Sequence, residues 1–178
     1  MKDMDEIPAP ADPATGEIGI LARRRIEAEI IAPLIKAMAE EIGEARARAI
    51  LGRAIRAAAI ATGEHFAAKT PGGPSLAAFR DLLSLWTQDD ALQVEVLTAT
   101  EEHFDFNVRR CRYAETYRAM GLGPIGDLLS CNRDGAFCEG YDPRIKLTRT
   151  QTIMGGASHC DFRYERKAAA EADPATEA

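Results

Sequence analysis

The stretch LQVEVLTATEEHFDFNVRRC, residues 92–111, is where the chain changes its period. Leu92, Val94 and Val96 alternate with Gln93 and Glu95, and Phe104, Phe106 and Val108 alternate with Asp105, Asn107 and Arg109. A period of two on both sides of a short polar connection predicts an antiparallel hairpin with one apolar face.

Upstream of this hairpin the period is helical. Ile26, Ile30, Ile31, Leu34, Ile35, Met38 and Ile42 recur at spacings of three and four, the stripe of an amphipathic helix beginning near Leu21. Pro33 lies inside the stripe and predicts a kink or break, because its ring clashes with the preceding turn. Gly43 ends the segment. A second, Ala-rich helix is expected over about 45–61, where small residues permit close packing. The run of Thr70, Pro71, Gly72, Gly73 and Pro74 breaks it, and Ser75 is placed to cap a third helix carrying Leu76, Phe79, Leu82, Leu83 and Trp86.

Downstream, two short helical segments are expected at about 112–120 and 124–132, separated by Gly121, Leu122 and Gly123. The Thr- and Ile-bearing run KLTRTQTI (146–153) reads as a third strand, and 160–164 as a fourth. The sum is an α+β fold: N-terminal helices packed on a small antiparallel sheet of about four strands, with the short helices between strands 2 and 3. A chain of 178 residues fits one domain, here 18–165. Residues 1–17 and 166–178, rich in Ala, Asp, Glu and Pro, read as a flexible arm and tail.

The net charge of −6 argues against a broad nucleic-acid or anionic-membrane surface, and leaves room for a local cationic pocket that holds one small anion. No stretch approaches the ~18 uninterrupted apolar residues of a membrane span. The acidic N-terminus is unlike a secretory signal, so a cytoplasmic location is expected. The four cysteines, Cys111, Cys131, Cys138 and Cys160, form no CxxC pair and are expected as free thiols. The apolar N-terminal helices are candidates for pairing between chains, and no cofactor is expected.

Reactive residue types crowd between 103 and 163. Cys111 falls where a strand meets a helix N-terminus, beside Arg109, Arg110 and Arg112. That setting lowers a thiol pKa and favours a nucleophilic thiolate; the alternative is a small side chain closing the corner. Cys131 and Asp134 share a helical face at a spacing of three. Asp134 is then a candidate general base, although a carboxylate raises a neighbouring thiol, or else the pair marks a helix end. Cys138 reads as packing. His159 suits acid–base work near neutrality. Strand alternation, however, puts Cys160 on one face with Phe162 and Tyr164, and His159 and Asp161 on the other with Arg163. Cys111, Cys131, Cys160 and His159 also form a loose candidate zinc set with irregular spacing. Arg109, Arg149 and Arg163 fall on three predicted strands, where a substrate carboxylate would suit an arginine, or where they face solvent.

FNVRRCRYAETYRAMGLGPIGDLLSCNRD, KLTRTQTIMGGASHCDFRY and the N-terminal LARRRIEAEIIAPLI resemble, in that family's order, the L-2-amino-thiazoline-4-carboxylate hydrolase family. The resemblance spans about 18–164 and carries Cys111, Cys131 with Asp134, Arg149 with Thr150, and Cys160, Asp161 and Phe162. It implies hydrolysis of a cyclic amidine-like carbon, the namesake ring being opened to N-carbamoyl-cysteine. The expected catalytic set is Cys111, Cys131, Asp134, His159, Cys160 and Asp161. Arg109, Arg149 and Thr150 are expected to bind the small heterocyclic substrate. Two other readings stay open: a non-catalytic small-ligand sensor, and a zinc-dependent hydrolase using the same cysteines.

Overall fold

A computed structural model describes residues 18–167. The expected arm, 1–17, and the tail from 168 onward lie outside the described residues. The first helix, α1 (Ile20–Ile42), runs through Pro33 without a break. Pro33 is exposed, so the Glu29 carbonyl that loses an amide partner there can be solvated, and the helix continues past it. Gly43 ends α1 at φ 83°, in the left-handed region that glycine enters without strain. The next helix, α2 (Glu44–Lys69), is eight residues longer at its C-terminal end than the Ala-rich pattern suggested. Ser75 caps α3 (Leu76–Asp81), its hydroxyl accepting the Ala78 amide, and α4 (Leu83–Thr87) follows.

The hairpin forms as its alternation predicts, from β1 (Leu92–Ala99) and β2 (His103–Cys111). Then come α5 (Arg112–Ala119), a short 3-10 turn (Gly123–Ile125), a π-helical turn (Asp127–Cys131) and α6 (Asn132–Tyr141). The sequence reading ended this region at 132 and missed α6. The polar run at 132–135 hides the apolar face that Ala136, Phe137, Cys138 and Tyr141 provide.

The third strand, β3 (Ile145–Thr148), is half the length predicted, so Arg149 follows it in a loop. The last, β4 (Cys160–Arg166), reaches into the segment read as tail, because Arg166 donates to the buried Asp142 at 2.9 Å. The sheet is antiparallel in the order β1-β2-β4-β3. The architecture is α+β.

Two packing details position the site. α2 and α6 touch backbone to backbone at Gly63 and Gly140: a Cβ on Gly63 would lie 2.2 Å from the Phe137 carbonyl oxygen, and one on Gly140 would lie 2.0 Å from that of Ile60. The core also divides into two buried clusters. One is aromatic, beneath the sheet, with Phe66, Phe104, Phe106, Phe137 and Tyr164; the other joins α1 and α5 through Ile20, Ala28, Tyr113 and Tyr117. Trp86, Leu92 and Cys111 pack against both.

Candidate active site

A cavity of about 120 Å³ opens between the two clusters. A designed cavity of about 150 Å³ holds one benzene, so this one is sized for a single small ring. Phe106, Phe162 and Tyr164 from the inner sheet face, Phe137 from α6 and Trp86 from α4 make its apolar wall. The alternation of Phe106, Phe162 and Tyr164 along their strands is the sequence signal for the sheet side of that wall.

Five of the expected residues converge on this cavity from five separate places. Cys111 arrives at the end of β2, Cys131 from the π turn, Asp134 from the first turn of α6, Arg149 from the loop after β3, and Cys160 from the start of β4. Cys111 reaches the cavity through a β-bulge. Val94 pairs with Val108 and Leu92 with Cys111, so β2 spends one extra residue there. Strict alternation would have put Cys111 on the outer face with Arg109; the extra residue turns it inward.

Arg149 fixes the polar end. Its Nη1 donates to Oδ2 of Asp134, its Nη2 donates to the Cys131 carbonyl at 3.0 Å, and its guanidinium carbon sits 4.9 Å from the centre of the Phe162 ring. The Cys131 carbonyl belongs to the π turn, a kind of helical irregularity frequent at functional sites. Burial pushes the Asp134 carboxyl above the usual carboxylate range, against the opposing charges of Arg149, Arg133 and Arg24. Asp134 nonetheless keeps 26 % of its side-chain surface open, and it lines the cavity.

Cys111 behaves differently from the expectation, whereas Cys131 is raised in the direction its carboxylate neighbour implied. Burial pushes Cys111 up to about 11, and burial together with the Asp134 charge pushes Cys131 up to about 12. Cys160 is raised by burial as well. The amides of Ala114 and Tyr113, at the α5 N-terminus, do favour the Cys111 thiolate, but desolvation outweighs them. The neighbouring arginines give no help because they turn outward. Arg109 pairs with Glu95, Arg110 with Glu115 and Asp90, and Arg112 donates to the Asp89 carbonyl. Cys138 is buried in the aromatic cluster, where burial raises it too.

Four expected site residues lie outside the cavity lining. Arg109 is half-exposed on the outer sheet face. Asp161 accepts hydrogen bonds from the Thr150 hydroxyl at 2.6 Å and the Gln151 amide at 2.8 Å, so these residues clamp the loop that carries Arg149. Burial alone would raise the Asp161 carboxyl, yet the Thr150 and Gln151 donors outweigh it and bring it to about 2. His159 contacts Gln151 and Ser158 at the strand edge, on the side that alternation assigns it. Among the described residues, no three His, Cys, Asp or Glu side chains are grouped to hold a metal, which leaves the zinc reading without a ligand set.

Two cavity residues escaped the sequence reading. Arg24 of α1 donates to both carboxylate oxygens of Glu27, and Arg133 of α6 donates to the same carboxylate at 3.2 Å. Of the four charged side chains lining the cavity, Arg24, Arg133 and Arg149 are positive and only Asp134 is negative. The acidic chain therefore encloses a cationic pocket. Burial and then repulsion by Arg24 bring Arg133 down to about 10, with Glu27 pulling the other way. The pattern Arg24-x-x-Glu27 was the available signal, since residues three apart share a helix face.

The fold has a solved counterpart. It is similar to the crystal structure of the phenol-responsive sensory domain of the transcription activator PoxR with phenol, with a TM-score of 0.52 and 15% identity over 83% of this chain and 76% of that one. No curated protein matches the sequence. The sequence profile of the L-2-amino-thiazoline-4-carboxylic acid hydrolases matches residues 23–164, a span that holds nearly the whole cavity wall, and the chain belongs to that family.

Proposed function

We propose that this protein is a cytoplasmic hydrolase that opens a small nitrogen-containing ring, a cyclic amidine, thiazoline or lactam, by adding water with Asp134 as the general base. The observation that carries this reading is a part-buried carboxylate, fixed by Arg149, facing a ring-sized cavity whose thiols burial shifts away from the thiolate. Asp134 takes a proton from water as the water oxygen attacks the electrophilic ring carbon. The neutral carboxyl then gives that proton to the ring heteroatom as its bond to carbon breaks, so the product gains one water. A carboxyl raised above its usual range serves both halves better than an ordinary one, because its pKa moves toward working pH. Arg149 is the positioning residue for Asp134, and the Thr150–Asp161 clamp holds its loop. Arg24 and Arg133 are placed to hold an anionic group on the substrate. Thiolate attack by Cys111 or Cys160 is less well supported, since burial disfavours the anion it needs.

A second reading is ligand sensing without turnover. It is favoured by the aromatic cavity wall and by the fold shared with a sensory domain described as phenol-responsive. A screen of small cyclic amidines, lactams and thiazolines separates the two. Ring opening read as a mass gain of one water, lost in Asp134→Asn and kept in single cysteine-to-alanine variants, supports the hydrolase. Saturable binding of a ring with no product, in wild type and Asp134→Asn alike, would leave the sensor reading standing.

A further inference from the structure

We propose that the Tyr164 hydroxyl is the hydrogen-bond donor that selects the bound ring, so that the cavity takes a small ring carrying an acceptor, such as a carbonyl oxygen or an imine-type ring nitrogen, over a hydrocarbon ring of the same size. Two tyrosines line the cavity, Tyr113 and Tyr164. The Tyr113 hydroxyl donates to the Trp86 carbonyl at 3.2 Å. Tyr164 is 5% exposed, yet among the described residues its hydroxyl has no hydrogen-bond partner. That hydroxyl is not sealed in hydrocarbon either, so the space it meets is the cavity. Buried hydroxyls are almost always bonded, because an unmade bond there costs free energy, and an exception beside a cavity points to a partner that arrives with the ligand.

The surroundings hold this hydroxyl ready. Tyr164 faces inward from β4 between Phe104 of β2 and Leu147 of β3, and its ring centre lies 4.9 Å from that of Phe79 and 6.0 Å from those of Phe106 and Phe162. These rings leave the phenol little freedom, so a bond to the ligand costs little ordering. Phe162, one inner-face step away along the strand, is the ring beneath the Arg149 guanidinium that fixes Asp134. The donor and the candidate base thus act on one enclosed space. Burial first, then the neighbouring Cys138 and Asp134, hold the phenol above its usual pKa against the pull of Arg149, so it keeps its proton and donates. The inference rests on the ring-binding cavity of the hydrolase reading and adds what its ligand must carry. In a lactam the acceptor is the oxygen on the carbon that water attacks, where negative charge grows.

Calorimetric titration of the full chain with pyridine and with benzene, rings of one size that differ by a single acceptor nitrogen, tests this. It measures binding without turnover, so a failure of ring opening cannot be mistaken for a failure of this inference. Wild type is expected to bind both rings, and Tyr164→Phe, which keeps the aromatic ring in place, should lower the pyridine-to-benzene affinity ratio about tenfold. Tyr113→Phe should leave that ratio unchanged, because the Tyr113 hydroxyl is already engaged. Thermal melts give a second readout. Tyr164→Phe should melt no lower than wild type, since it breaks no bond within the protein, whereas Tyr113→Phe should melt lower. A ratio that Tyr164→Phe does not change, or that Tyr113→Phe changes as much, would overturn the inference. So would a Tyr164→Phe chain that melts as low as Tyr113→Phe, which would reveal a partner inside the protein, and so would a wild type that binds neither ring.

Discussion

Replacing Gly63 by alanine should unseat α6, and the size of the effect can be worked from the contact itself. The new Cβ would lie 2.2 Å from the Phe137 carbonyl oxygen and 2.7 Å from the Tyr141 amide nitrogen. Both are backbone atoms, so no rotamer change relieves the clash; α2 and α6 must move apart by about 1 Å to restore ordinary contact. Overpacking of this kind costs about 1–3 kcal/mol, and the lack of side-chain relief places it near 3. Alanine returns about 1 kcal/mol of helix propensity, which leaves a net loss of about 2 kcal/mol. For a chain of this length that is a fall in Tm of roughly 4–8 °C. Gly52→Ala is the internal control. It lies on the same helix, but its Cβ would meet only Leu128 Cδ2 at 3.5 Å, an ordinary contact. It should gain most of the propensity and raise Tm by about 2 °C. Thermal and urea melts followed by circular dichroism read both. If Gly63→Ala melts no lower than Gly52→Ala, the backbone-contact account of the α2–α6 seam is wrong. Because α6 carries Asp134 and Phe137, Gly63→Ala should also lose ring-opening rate at temperatures where it is still folded.

Other consequences follow from the site's charges. The rate of ring opening should fall as pH drops through the Asp134 pKa, with that limb lying above the ordinary 3.8 because burial raises this carboxyl; a pH–rate profile with its limb at or below 3.8 would contradict Asp134 as the base. Asp161 has the opposite sign. Its folded pKa, about 2, lies below the ordinary 3.8, so it adds stability at all pH above that value and loses it as pH falls through about 2. Asp161→Asn should therefore flatten the wild-type loss of stability in that acid window, as read by acid melts. Iodoacetamide should label Cys111 and Cys131 slowly at pH 8, and much faster as pH approaches their values of about 11 and 12; rapid labelling at neutrality, followed by peptide mass analysis, would revive the thiolate mechanism. Arg133→Ala should weaken binding of a carboxylate-bearing ring by more than tenfold while leaving a neutral ring of equal size within about twofold, as a buried charge contact is worth several kcal/mol when it is met.

The reach of the sequence can be seen residue by residue. Alternation over 92–111 was enough to give the hairpin and its apolar inner face, and alternation along the last strand set Asp161 on the face opposite Cys160, because period-two patterns describe one strand and need no partner. Ser75 was legible as a cap for the same reason: the bond it makes is three residues long. Family motifs pointed to Cys111, Cys131, Asp134, Arg149 and Cys160, all of which line the cavity. What escaped was whatever depended on another element. The lowered pKa expected for Cys111 does not appear because desolvation is a property of the closed cavity, whereas the arginines beside Cys111 in sequence turn to Glu95, Glu115, Asp90 and the Asp89 carbonyl in space. The inward turn of Cys111 required the bulge opposite β1, and α6 required the glycine seam with α2. Arg24 and Arg133 stand 109 residues apart and meet only at one Glu27 carboxylate. Local hydrogen bonding and side-chain period are written in the order of residues; burial, and with it the charge and protonation of the site, exists only once distant segments have closed around a common space.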